Sequence, residues 1–134
     1  IPVCLESEKN EDLLLLKDLA GSISDKVFEL NSQQREKLHI AAVFANNFSN
    51  HMFKIAYDLC ESNQINFEIL KPLILETAEK IIKITPEKAQ TGPAKREDIK
   101  TIQKHLSQLE GIQKEIYTLV TKSITETYSY GKEL

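Results

Sequence analysis

Apolar residues return at helical spacing over an unusually long stretch of this chain: Leu38, Ala41, Ala42, Ala45, Phe48, Met52, Ile55, Ala56 and Leu59. A helix over residues 32–62 would measure roughly 45 Å at the usual rise. That is long for a globular helix. Ser32 is a good N-cap, and Arg35 and Glu36 start the run.

Upstream of that helix the pattern is different. Residues 1–5 form a short apolar run with Pro2 near its start, which reads as a strand or a strand edge. Residues 11–20 carry Leu13, Leu16, Leu19 and Ala20 on one face, a short amphipathic helix. Gly21 stands where a left-handed C-terminal cap would fall. Lys26, Val27, Phe28, Glu29 and Leu30 then read as a second strand. One strand–helix–strand unit cannot make a sheet, because two strands cannot bury both their faces. The expectation is a remnant of a larger sheet, and the first residue, Ile1 rather than Met, points the same way.

Downstream the chain stays helical. Asn66 can cap a helix whose inner side carries Phe67, Leu70, Leu73, Ile74, Ala78, Ile81 and Ile82. Pro72 lies beyond the first turn of that run, so a kink or a late helix start is expected. Pro86, Gly92 and Pro93 break the pattern and make residues 85–95 the one substantial loop. Two helices follow, over residues 98–109 and 112–128, with Gly111 as the joint. The fold class read from this order is mainly α, a helical domain over residues 31–134 after a βαβ remnant over residues 1–30.

Composition narrows the function classes. The chain has 134 residues, a net charge of −3 and lysines spread thinly, so no basic stripe argues for nucleic acid. No run of eighteen apolar residues exists, so no membrane helix is expected, and no signal peptide is visible. Cys4 and Cys60 lie in apolar contexts without metal or redox spacing and read as free, buried thiols of a reducing cytosol. Asn47-Phe48-Ser49 is a chance glycosylation sequon inside a helix, and the terminal Lys132-Glu133-Leu134 only partly resembles a retention signal. Only two arginines occur, Arg35 and Arg96. Their planar forks make each position worth weighing for carboxylate or phosphate binding.

Two constellations carry possible chemistry. His39, Asn46 and Asn50 fall within roughly 20° of one another on an uninterrupted α-helix. Small and aromatic residues surround them, so a buried polar stripe is expected, and buried amides need partners. The stripe either faces a ligand carbonyl or carboxylate, or makes a helix–helix contact with neighbouring backbone. The second constellation is the loop containing Thr91, Gly92, Pro93, Arg96 and Asp98. Arg96 stands near a helix N-terminus, which attracts anions, and His105 shares a helix stripe with Asp98. The plain alternative is a turn, a cap and a solvated arginine.

Glu36-Lys37-Leu38-His39 matches one element of di-iron bundles, but the further inward glutamates are absent, so no metal site is expected. The four glycines, at 21, 92, 111 and 131, form no Gly-x-Gly-x-x-Gly turn. The chain therefore has no dinucleotide loop of its own.

Leu38-His39-Ile40-Ala41-Ala42-Val43-Phe44-Ala45-Asn46-Asn47-Phe48, the loop of residues 89–98, Lys71-Pro72-Leu73 and Thr101-Ile102-Gln103-Lys104-His105-Leu106 together carry a resemblance. The chain resembles the C-terminal domain of unknown function of Rossmann-type oxidoreductases similar to deazaflavin-dependent NADP oxidoreductases. Its helices are similar to the C-terminal domain of 6-phosphogluconate dehydrogenase. The resemblance covers nearly the whole chain. It implies that residues 1–30 end a Rossmann half and that the nucleotide-binding domain lies outside this sequence. It also implies NADP or NAD as cofactor of the parent, none bound by this piece alone, and a small-molecule substrate; a homodimer formed through the long helices and a cytoplasmic location are expected beside it. Hydride transfer to a carbonyl or imine would use His39 and Asn46 as catalytic groups. Asn50, Thr91, Gly92, Arg96, Asp98 and His105 would bind substrate, Arg96 through an anionic group. The alternative is a stand-alone helical interaction module.

Overall fold

The computed structural model describes residues 1–129, and residues 130–134, with Gly131 and the Lys132-Glu133-Leu134 ending, lie outside the described residues. Among the described residues the fold is mainly helical, as the sequence pattern implies, while the two expected strands pair with each other in a short parallel sheet. Its contacts divide into two compact units, Ile1–Lys54 and Ile55–Leu134.

In the first unit β1 (Val3–Leu5), α1 (Asn10–Gly21) and β2 (Val27–Glu29) form the expected strand–helix–strand. The two strands are parallel, Val3 opposite Val27 and Leu5 opposite Glu29, and α1 packs on both. Leu5 and Ala20 are buried at this contact, but Leu19, expected on the inner face, is 63% exposed. Gly21 does not take the left-handed conformation; it is the last helical residue. The turn instead closes through right-handed Ser22, whose N–H donates to Asp18 O and Leu19 O and whose hydroxyl donates to Leu19 O.

α2 (Ser32–Ala42) begins one residue earlier than a cap at Ser32 would require. Asn31 is the cap: its side chain accepts from the Gln34 N–H, and the Gln34 side chain accepts from the Asn31 N–H. Ser32 is released for another contact. Its N–H and hydroxyl both donate to the Glu6 carboxylate, at 2.8 and 2.9 Å, and Arg35 pairs with the same carboxylate. Arg35 also donates to Leu30 O at 3.1 Å. One of the two arginines therefore ties the end of β1 and the end of β2 to the start of α2.

The helical run is not uniform. After α2 comes a π-helical segment, Val43–Phe48, and then α3 (Ser49–Ser62). The Ser49 hydroxyl donates to Phe44 O at 3.2 Å, and the Phe44 and Phe48 rings meet edge to face at 5.0 Å.

In the second unit Asn66 caps a 3₁₀ turn, Phe67–Leu70, and α4 (Lys71–Lys83) starts only there, with Pro72 in its first turn. Proline fits at that point because its missing N–H would have no intrahelical partner anyway. This is the late start that Pro72 implies. The expected loop of residues 85–95 is shorter than the pattern suggested, since Pro86–Ala89 form α5. α6 (Ile99–Leu106) and α7 (Gly111–Ser129) pack together, joined through Gly111 at φ +51°. Cys60 is buried and Cys4 exposed, both as free thiols, so the expectation of burial holds for one of them.

Candidate functional site

The residues singled out by sequence fall on both units: His39, Asn46 and Asn50 on the first, Thr91, Gly92, Arg96, Asp98 and His105 on the second.

On the long helix, His39 ends α2, Asn46 lies in the π segment and Asn50 comes next in α3. The π segment changes their register. An i→i+5 turn takes in about one extra residue, which rotates the downstream residues by roughly 100°. His39 and Asn50 therefore do not share the single stripe that an unbroken α-helix would give them. The expected burial also fails: His39, Asn46 and Asn50 are all exposed, as is Asn47. Exposed amides need no protein partner, so the physical demand for a helix–helix contact disappears. The π turn still presents Asn46 and Asn47 together, and such turns concentrate at functional sites.

The second constellation is a tightly built loop. Gly92 sits at φ +102° and Glu97 at φ +55°, with Ala94 buried between them at 6% exposure. The Asp98 N–H donates to Pro93 O at 2.9 Å, and the Arg96 N–H to Gly92 O at 3.3 Å. Lys95 half-buries its chain, donates to Gln90 O at 2.9 Å and places its ammonium 4.7 Å from the Tyr128 ring centre. Asp98 caps α6, accepting from the Thr101 N–H at 3.1 Å and the Thr101 hydroxyl at 2.7 Å. Arg96 is exposed at the rim.

These bonds hold the Asp98 carboxyl below its ordinary pKa: the Thr101 N–H contributes most, then the Thr101 hydroxyl, with the charges of Arg96 and His105 adding less. Glu6 is lowered too, chiefly by the Ser32 hydroxyl and then by the Ser32 N–H, with Arg35 contributing further. A depressed carboxyl stabilises the fold above the unfolded-state pKa and loses that contribution as pH falls through the folded-state value. Acid titration followed by circular dichroism should therefore show helix loss setting in as pH drops below about 4, where free Asp and Glu titrate. Glu6→Gln and Asp98→Asn should each flatten that limb, Asp98→Asn while retaining the cap. An unchanged acid limb in both variants would contradict these roles.

His105 does not join Thr91. It lines a groove of about 690 Å³ whose apolar wall is Ala56, Leu59, Ile65, Leu70 and Leu109. Cys60, Asn63, Gln108 and Tyr117 complete the lining. Thr91 lines a different cavity of about 350 Å³, with Glu76, Thr77 and Lys80. Within the groove His105 Nδ1 is 2.8 Å from the Tyr117 hydroxyl, and their rings stand edge to face at 5.7 Å. Tyr117 is absent from the sequence-derived site because it lies on another helix. A signal was available. His105 and Tyr117 stand six residues either side of Gly111, and two helices folded back about a short joint bring such equidistant residues together.

The turn after β1 does not fit the pyrophosphate of a dinucleotide. The turn after β1 runs Glu6-Ser7-Glu8-Lys9, without glycine and with two carboxylates where a pyrophosphate would need backbone N–H groups. The N-terminus of α2 is already engaged by Glu6. Among the described residues no cluster of His, Cys, Asp or Glu could hold a metal ion, and no helix is long and apolar enough to cross a membrane.

The family model described as Domain of unknown function (DUF2520) matches residues 1–124. Among curated proteins none matches the chain. A crystal structure from Bacteroides fragilis, described as a "putative NADP oxidoreductase", is 41% identical, with TM-score 0.85 over 94% of this chain and 50% of its own. A protein structure from Thermotoga maritima is 24% identical, with TM-score 0.79 over 93% of this chain and 52% of its own, and shares the fold. The chain thus spans about half the length of these two structures.

Proposed function

This chain belongs to the DUF2520 family, and from that membership we propose that it is the helical half of an NADP-dependent oxidoreductase. The observation that carries the reading is the 41% identity and shared fold with the Bacteroides fragilis protein. Cofactor binding is assigned to residues outside this sequence, since the turn after β1 lacks the glycines of a phosphate loop. The helical half would supply substrate-binding groups: His39 or Asn46 bonding the acceptor atom, with Asn50 further along the same helical run. On the second unit Arg96 would hold an anionic group at the loop of Thr91, Gly92 and Asp98. The π turn at Asn46 supports a ligand-facing role on the long helix.

The same half would carry the interface of a homodimer. Phe44 is 63% exposed, and Leu38, Ile40 and Phe48 are each about half exposed on the same helical run. Exposed large apolar side chains of this kind are surface that a partner can cover. A second copy burying it would remove its cost in water.

The test compares NADPH binding by the full-length protein with binding by this 134-residue chain, and measures the mass of the full-length protein by light scattering. Saturable NADPH binding by the full-length protein alone, at twice the chain mass, is expected. A full-length protein that binds neither NADPH nor NADH would overturn the oxidoreductase reading. A monomeric mass would overturn the dimer.

A further inference from the structure

We infer that the groove around His105 and Tyr117 binds an uncharged small molecule with an apolar body and a hydroxyl group. This goes beyond the role proposed for Arg96, which would hold an anion, and it does not depend on the cofactor.

Size comes first: about 690 Å³ lies within the range of small-molecule sites, and most of the lining is apolar. Charge decides the class. Among the described residues no Lys, Arg, Asp or Glu lines the groove. An ion entering it would give up part of its hydration with no permanent opposite charge in the described lining, a cost that a neutral molecule avoids.

Hydrogen bonding then selects among neutral ligands. The Asn63 amide nitrogen donates to Leu59 O at 2.8 Å and to Ser62 Oγ at 3.3 Å. The Gln108 amide nitrogen donates to Lys104 O at 3.1 Å. Asn63 makes two such bonds and Gln108 one of the two its amide nitrogen can make, and each side chain keeps a carbonyl oxygen as an acceptor. The groove therefore offers two amide acceptors and one remaining amide donor. The His105–Tyr117 pair adds an adaptable group. If Nδ1 accepts the phenolic proton, the Tyr117 oxygen accepts from a ligand; if Nδ1 carries hydrogen, the Tyr117 hydroxyl donates to it. A ligand hydroxyl can both donate and accept, so it satisfies either state.

The probe is p-cresol, titrated into the full-length protein by ligand-detected NMR, with 4-methylbenzoate and toluene as the charged and hydroxyl-free counterparts. Saturable p-cresol binding is expected, with 4-methylbenzoate at least about tenfold weaker. Tyr117→Phe, which keeps the ring and its packing, should weaken p-cresol roughly threefold to tenfold and leave toluene unchanged. His105→Gln, at an exposed residue, should act in the same direction and serves as the second variant if Tyr117→Phe disturbs the fold. Absence of p-cresol binding overturns the proposal. So does 4-methylbenzoate binding as tightly as p-cresol, or p-cresol affinity unmoved by both substitutions.

Discussion

Gly92→Ala should destabilise the second unit by about 1–3 kcal/mol. Gly92 holds φ +102°, beyond the left-handed helical region that other residues can visit, and a Cβ built there meets nothing within 4 Å. The cost is therefore backbone strain and not collision, and no side-chain rearrangement can relieve it. The turn cannot relax either. Ala94 is buried inside it, and the Arg96 and Asp98 N–H groups are bonded back to Gly92 and Pro93. Thermal unfolding should move by about 4–8 °C for each kcal/mol in a unit of this size. Gly111 is the internal control. At φ +51° it lies where Asn is tolerated, also with open space at its Cβ, so Gly111→Asn should cost clearly less. Equal losses at the two positions would mean that the turn, not its φ, sets the stability.

Arg96→Ala should act the other way, on turnover and not on folding. Arg96 is exposed, and removing such a side chain changes stability by no more than about 0.5 kcal/mol. If it holds an anionic substrate group in the full-length enzyme, losing a charge-assisted contact of about 1.5–3 kcal/mol should lower kcat/KM roughly 10- to 100-fold. Arg96→Lys should recover only part of this, because an ammonium cannot reproduce the two-pronged geometry. Measured together, kcat/KM and melting temperature separate the cases. Lost stability with unchanged kcat/KM would make Arg96 a structural residue of the loop.

Much of the architecture was legible because its signals are local. Strand, helix and strand follow from apolar runs bounded by turn residues, and their parallel pairing from the crossover helix. Pro72 cannot sit deep in a helix, so the late start of α4 was implied by its chemistry. Gly111 marks the α6–α7 joint for the same kind of reason. Where two local options are nearly equal, the reading slipped by a residue. Asn31 and Ser32 are both good caps, and only the reciprocal bond with Gln34 and the pull of Glu6 on Ser32 choose between them.

The polar stripe shows a different limit. Residue spacing places His39, Asn46 and Asn50 together only if every turn is α-helical, and periodicity carries no mark of a π turn. Burial was overestimated for a related reason. Apolar neighbours in sequence imply a core only when other elements cover them, and Phe44 and Phe48 stay at the surface of the chain.

The long helical run, the lone βαβ unit and the lack of a phosphate loop were set by the sequence alone. Each depends on φ preferences, residue spacing or the presence of glycine, properties a residue carries wherever it stands. The grouping of side chains was decided by tertiary structure: Glu6 with Ser32 and Arg35, and His105 with Tyr117 beside Cys60. Those contacts join residues 12 to 29 positions apart, or on different helices. Only the packing of whole elements can bring them within a hydrogen bond's reach.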